Sequence, residues 1–222
     1  MLRDALLIAG KDLRLELRSR VALNQVLPFA LLVLVLFAFA LDPDRGLLAR
    51  ATPGLYWVAV LFSALLALQR SLSVESADGN RDALRLSGLD PAGIFLGKVL
   101  AVATQLAVLE VLLGVGVAVL YTTRITGWVL LAVTCVVATA SIAAAGTLFG
   151  VVAAGLRVRE TLLPLLLLPV LAPVLIGATR AFEAALAGSP SEGWPWVGLM
   201  GVFASLYIVA GVFGFGPLLE ES

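Results

Sequence analysis

Few residues in this chain could do chemistry. Histidine is absent, and the single cysteine, Cys135, sits in the middle of an apolar block. A Ser-His-Asp or Cys-His centre is therefore excluded, as is an intrachain disulfide, and no zinc site can be built from Cys and His. No Gly-Lys-Ser/Thr phosphate loop is present, so the chain does not bind ATP through a P-loop. Gly114-Val115-Gly116 lacks the third glycine of a dinucleotide-binding turn. Glu110 is the one carboxylate near the centre of an apolar stretch. Placing a charge there costs at least about 2.5–3.5 kcal/mol on insertion scales, so the carboxyl is expected to face other helices. Either it hydrogen-bonds between helices or it serves substrate passage or coupling. Lys98 lies twelve residues earlier, about 18 Å along a helix, and is expected to snorkel to the membrane surface instead.

The elements that must hold Glu110 are apolar throughout. The chain is 61% hydrophobic, against about 45–50% in soluble domains. The excess falls in long blocks between short charged segments, the pattern of a polytopic membrane protein. An all-α single domain over 1–222 follows, with spans at about 21–41, 53–69, 94–121, 127–155, 161–178 and 195–217. Ala38-Phe39-Ala40 fits a signal-peptidase pattern, but the apolar run before it is too long and a charged segment precedes it, so an uncleaved first span is expected. Pro28 should bend span 1, and Thr52-Pro53 should cap and start span 2. Pro164, Pro169 and Pro173 imply a kinked fifth span packed inside the bundle. Gly146 and Gly150 form a GxxxG pair that would let span 4 approach a neighbour closely.

Residues 1–20 read as an interfacial amphipathic helix. Leu2, Leu6, Ala9, Leu13 and Leu17 share a stripe for the lipid, and Arg3, Lys11, Arg14 and Arg18 cluster beside it for headgroup phosphates. Arginine and lysine counts set the orientation. Residues 1–20, 70–93 and 156–160 carry ten, whereas the opposite loops carry four: Arg45, Arg50, Arg124 and Arg180. Both termini are therefore expected in the cytoplasm. Residues 179–194 exceed a turn, and Ala178, Phe182, Ala185 and Leu186 suggest a short separate helix on the outer face.

Segment 70–93 is the most informative soluble stretch. Asp82-Ala83-Leu84-Arg85-Leu86 reads as a short helix with exposed leucines, which suits docking to another protein. Glu75, Asp78, Arg81, Asp82 and Arg85 would supply charge at the rim, Leu84 and Leu86 the apolar anchors, and Gly79 the turn.

This segment, with Pro91 and Gly97-Lys98 entering span 3, resembles the coupling region of ABC-2-type exporter permeases. Pro53-Gly54-Leu55-Tyr56-Trp57-Val58-Ala59 running to Ser63–Leu68 is similar to the CcmB family, the haem exporter B proteins of bacterial cytochrome c maturation. So is Leu168-Pro169 with Pro173-Val174-Leu175 and Ala178-Thr179. Gln69 departs from the acidic residue expected there. The resemblance implies an ABC-2-type exporter fold and a permease subunit of the bacterial inner membrane. Such a subunit is not an enzyme and draws ATP hydrolysis from a separate CcmA-like ATPase. It further implies a homodimer, CcmC-like and CcmD-like membrane proteins and a CcmE-like haem chaperone. Haem is then a transported substrate and not a resident cofactor, and no nucleic acid is involved. Two mechanisms stay open: an exporter of haem, and a coupling subunit that uses partner ATP hydrolysis to release haem-loaded chaperone. A proton-coupled secondary transporter using Glu110 is a third class, which would need no docking segment. No strong axial haem ligand is expected, since Met1, Met200 and three tyrosines are weak candidates. Propionates would meet Arg45, Arg50, Arg124 or Arg180.

Overall fold

In lipid, a chain without paired strands satisfies its backbone polar groups only as helix. The computed structural model describes residues 1–19, 22–41, 45–76, 88–120, 126–154 and 159–221. Among them the elements are α1 (Leu2–Ser19), a π-helical turn (Ala22–Val26), α2 (Leu27–Leu41), α3 (Arg45–Ser76), α4 (Pro91–Leu120), α5 (Trp128–Ala154), α6 (Arg159–Ala187) and α7 (Pro190–Glu221). Six helices are long and apolar enough to cross a membrane, with windows at Asn24–Leu41, Gly46–Ser71, Pro91–Val119, Trp128–Ala153, Leu162–Ala187 and Pro190–Leu218. The chain is thus an all-α, multi-pass membrane protein.

The bundle centre is α5, packed against α6 and α7, which also pack against each other. α4 joins α3, α5 and α7, while α2 lies at the periphery against α3 and α4. Trp57, Leu106, Leu113, Ile142, Leu167, Leu171 and Met200 are fully buried between these helices. Glycines set the closest approaches. A Cβ on Gly146 would meet the Leu68 side chain at 2.3 Å, which seats α5 on α3 as the GxxxG spacing anticipates. Trp128 and Trp194, at the starts of α5 and α7, are exposed at one end of the bundle, as interface anchors are.

Several local expectations are overturned. Thr52-Pro53 does not start span 2: α3 begins at Arg45, and Pro53 lies inside it. The Thr52 hydroxyl is buried and donates back to the Leu48 carbonyl at 2.8 Å instead of capping. Pro28 stands at the second position of α2, directly after the π-helical turn, so the helix is locally irregular where a bend was expected. The separate outer helix over 179–194 is absent. α6 runs on to Ala187 because Ala181, Phe182, Ala184 and Ala185 are buried against the bundle. Thr126 Oγ1 and the Gly127 N–H both donate to the Ala185 carbonyl, at 2.8 and 3.0 Å, and fix this end of α6 to the start of α5. Gly188, at φ +80°, closes α6, and the Ser189 N–H reaches the Ala184 carbonyl in a Schellman turn. The fifth span is also not wholly interior. Leu163, Leu167, Leu171 and Val174 form one buried face, while Leu165, Leu168 and Ile176 on the other are exposed. Its prolines free backbone carbonyls, and Tyr207 of α7 donates to the nearby Val170 carbonyl at 3.4 Å.

Candidate functional site: a clamped helix junction and a buried carboxyl

The amphipathic helix α1 has three faces, not two. Of the expected lipid stripe, Leu2, Leu6 and Leu17 are exposed, whereas Leu13 is half-buried and Ala9 is buried against α4. Arg3, Lys11, Arg14 and Arg18 are exposed or partly exposed on the basic side. The third face, Ala5, Ile8 and Ala9, is buried against the start of α4. The contact is close because α4 offers glycine there. A Cβ on Gly97 would lie 2.6 Å from the Ala5 carbonyl oxygen and 2.7 Å from Ile8 Cβ. One turn earlier, a Cβ on Gly93 would lie 2.9 Å from the Met1 carbonyl oxygen.

Asp12 and Glu16 follow on the same inward face. Asp12 Oδ2 lies 3.8 Å from Lys98 Nζ, with both side chains mostly buried. Lys98 therefore does not snorkel: Gly97 draws α1 over it, and the carboxylate of that helix replaces water. Glu16 Oε2 lies 3.5 Å from Arg70 Nε near the end of α3. So α1 is tied both to the end of α3 and to the start of α4, the two helices that border the proposed coupling segment. At the entry to α4, Asp90 Oδ1 accepts from the Ala92 N–H at 3.1 Å, and Pro91 takes the first helical position. Of the docking residues, Glu75 falls in the last turns of α3. Asp78, Gly79, Arg81, Asp82, Leu84, Arg85 and Leu86 lie outside the described residues.

Deeper in the membrane, Glu110 is buried and faces the bundle interior. Its carboxyl accepts from the Thr139 hydroxyl of α5. The Glu110 backbone carbonyl accepts from Tyr56 of α3 at 3.0 Å, and the Tyr56 hydroxyl lies 3.9 Å from Cys135 Sγ. Tyr56 also meets Phe182 of α6 edge to face, with ring centroids 5.0 Å apart. This cluster joins four helices around one carboxyl and brings together Glu110 and Cys135, which the sequence singled out separately. Tyr56 and Thr139 were not anticipated. Their only sequence signal is polarity inside apolar runs.

Among the described residues no group of acidic, His or Cys side chains could hold a metal ion. Spanning helices, a clamped junction and a buried polar cluster define a polytopic membrane protein. More narrowly, the chain belongs to the CcmB protein family, whose model matches residues 3–220. It is 33% identical over 186 residues to heme exporter protein B of Haemophilus influenzae, covering 84% of each chain. To heme exporter protein B of Pseudomonas aeruginosa it is 32% identical over 187 residues, again covering 84% of each. The Rhodobacter capsulatus protein of that name is 30% identical over 186 residues, with 84% of this chain and 83% of the relative covered.

Proposed function

We propose that the chain is the permease subunit of an ABC-2-type complex that exports or delivers haem for c-type cytochrome biogenesis. It sits in the bacterial inner membrane with both termini cytoplasmic. The carrying observation is the family match along nearly the whole chain, with relatives named heme exporter protein B. Energy arrives from a CcmA-like ATPase docked on segment 70–93, and CcmC-like, CcmD-like and CcmE-like proteins and a second copy complete the assembly. The clamp supports this mechanism. With α1 bridging the ends of α3 and α4, a push between them moves three helices as one unit. The alternative, a coupling subunit that releases haem-loaded chaperone without moving haem itself, is favoured by the filled bundle centre. There Leu106, Ile142, Leu167 and Met200 leave no exposed surface.

Leu84→Asp with Arg85→Glu is the test of the docking segment. The double variant should reach the membrane at wild-type level, lose co-purification of the ATPase and reduce holocytochrome c at least tenfold. Unchanged ATPase association together with unchanged cytochrome c would overturn the coupling role.

A further inference from the structure

The two segments that carry the resemblance to the CcmB family meet in space. Residues 53–59 of α3 and 173–179 of α6 face each other at the end of the bundle opposite α1. Between them lies an open cleft of about 380 Å³. Gly54 and Trp57 form its α3 wall, and Ile176, Thr179, Arg180 and Glu183 form its α6 wall and rim. A Cβ at Gly54 would meet nothing within 4 Å, so this glycine holds space open and serves no close helix contact. Trp57 is 1% exposed, yet its indole N–H has no acceptor among the described residues. A buried donor of this kind calls for an acceptor that the protein does not supply there.

The rim carries an exposed ion pair. Arg180 Nη1 donates to Glu183 Oε2 at 3.0 Å, and the pair is about half exposed. That single bond leaves further guanidinium donors for an incoming oxyanion, and an exposed pair of this type exchanges partners at little cost. The rest of the wall is aliphatic and aromatic. The occupant that fits has an apolar body and an acceptor-rich anionic group, a carboxylate or a phosphate.

We propose that the cleft between α3 and α6 binds an amphipathic anion, with its acceptor oxygens toward Arg180 and the Trp57 indole N–H and its apolar body over Gly54 and Ile176. On the haem-export reading above, on which this choice of ligand rests, that anion is the porphyrin dicarboxylate. A phospholipid presents the same chemistry from a second source. Of the four arginines that could meet a propionate, Arg180 lines this cleft.

The test uses the full chain in phosphatidylcholine nanodiscs, titrated with metal-free protoporphyrin and followed by tryptophan quenching. Metal-free porphyrin reports the cleft without any axial ligation. Saturable binding should weaken at least tenfold in Gly54→Leu, whose side chain enters the cleft from a Cβ with open space around it. Arg180→Gln should weaken it severalfold, and Gly198→Leu, on an open lipid-facing surface, should match wild type. The comparison between variants removes simple partition of porphyrin into lipid. A parallel arm replaces part of the phosphatidylcholine with phosphatidylglycerol. If the anionic lipid is the occupant, it will compete with porphyrin in wild type, and Gly54→Leu will retain less of it on purification. Wild-type porphyrin affinity in both Gly54→Leu and Arg180→Gln, with unchanged lipid retention, would overturn the cleft. Deleting the gene tests the haem reading separately: normal holocytochrome c in the deletion strain would remove that reading and leave the binding result standing.

Discussion

Asp12→Asn should undock α1, and Asp12→Asn combined with Lys98→Met should restore docking. The ammonium of Lys98 is buried beneath α1, and Asp12 is its carboxylate neighbour at 3.8 Å. Removing one member of a buried ion pair costs up to about 3–5 kcal/mol, whereas replacing both with apolar or neutral groups is close to neutral. Asp12 takes no part in the packing among α3 to α7, so the bundle itself should stay assembled. Hydrogen exchange over residues 2–19 reads the effect directly. Exchange there should rise by two orders of magnitude or more in the single variant and return near wild type in the double variant, with α5 and α7 unchanged throughout. Equal protection in Asp12→Asn and wild type would show that the Gly93 and Gly97 contacts and the Glu16–Arg70 pair hold the helix without Asp12. Since α1 bridges α3 and α4, the single variant should also lower holocytochrome c on the proposed mechanism without displacing the ATPase. That pattern separates loss of the clamp from loss of the docking segment.

The clamp shows where sequence reading reaches its limit. The leucine stripe and basic cluster of α1 were legible because both follow the helical period and face media of different polarity. The third face was not, because Ala5 and Ala9 are small and Asp12 and Glu16 look like ordinary surface charges until Lys98 and Arg70 stand opposite them. Six spans could be read from length and hydropathy alone, since lipid leaves a long apolar segment few alternatives. Their ends could not. The predicted start at Pro53 and the predicted outer helix over 179–194 both failed for one reason. Helices in a bundle continue past the apolar core wherever neighbours bury them, as they do around Ala181 and Ala185, and composition carries no record of that neighbour. Glu110 could be recognised as interior from its cost in lipid, but its partners could not, because Tyr56 and Thr139 come from helices 54 and 29 residues away.

Gly211→Leu should disrupt the bundle. A Cβ there would overlap Phe95 Cζ and both Cε atoms. Leu68 faces Gly146 with flexible methyl groups, but Phe95 presents a rigid ring. That ring is fully buried and packed on Phe215, with centroids 5.5 Å apart, so it has no free direction to move. Overpacking a close-packed site by one methyl costs about 1–3 kcal/mol, and a full leucine exceeds that range. The α4–α7 contact would open, because backbone approach at glycine is what brings these helices together. Gly211→Ala should lower the thermal midpoint in detergent by about 4 °C or more, and Gly211→Leu should abolish a cooperative transition. Gly198→Leu, with nothing within 4 Å, should leave the midpoint unchanged. The decisive comparison is Phe95→Leu with Gly211→Ala. Phe95→Leu alone leaves a cavity, and Gly211→Ala alone overfills the same space, so the pair should be more stable than the sum of the two losses by about 1 kcal/mol or more. Additive losses would mean that the ring does not limit how closely α7 approaches α4.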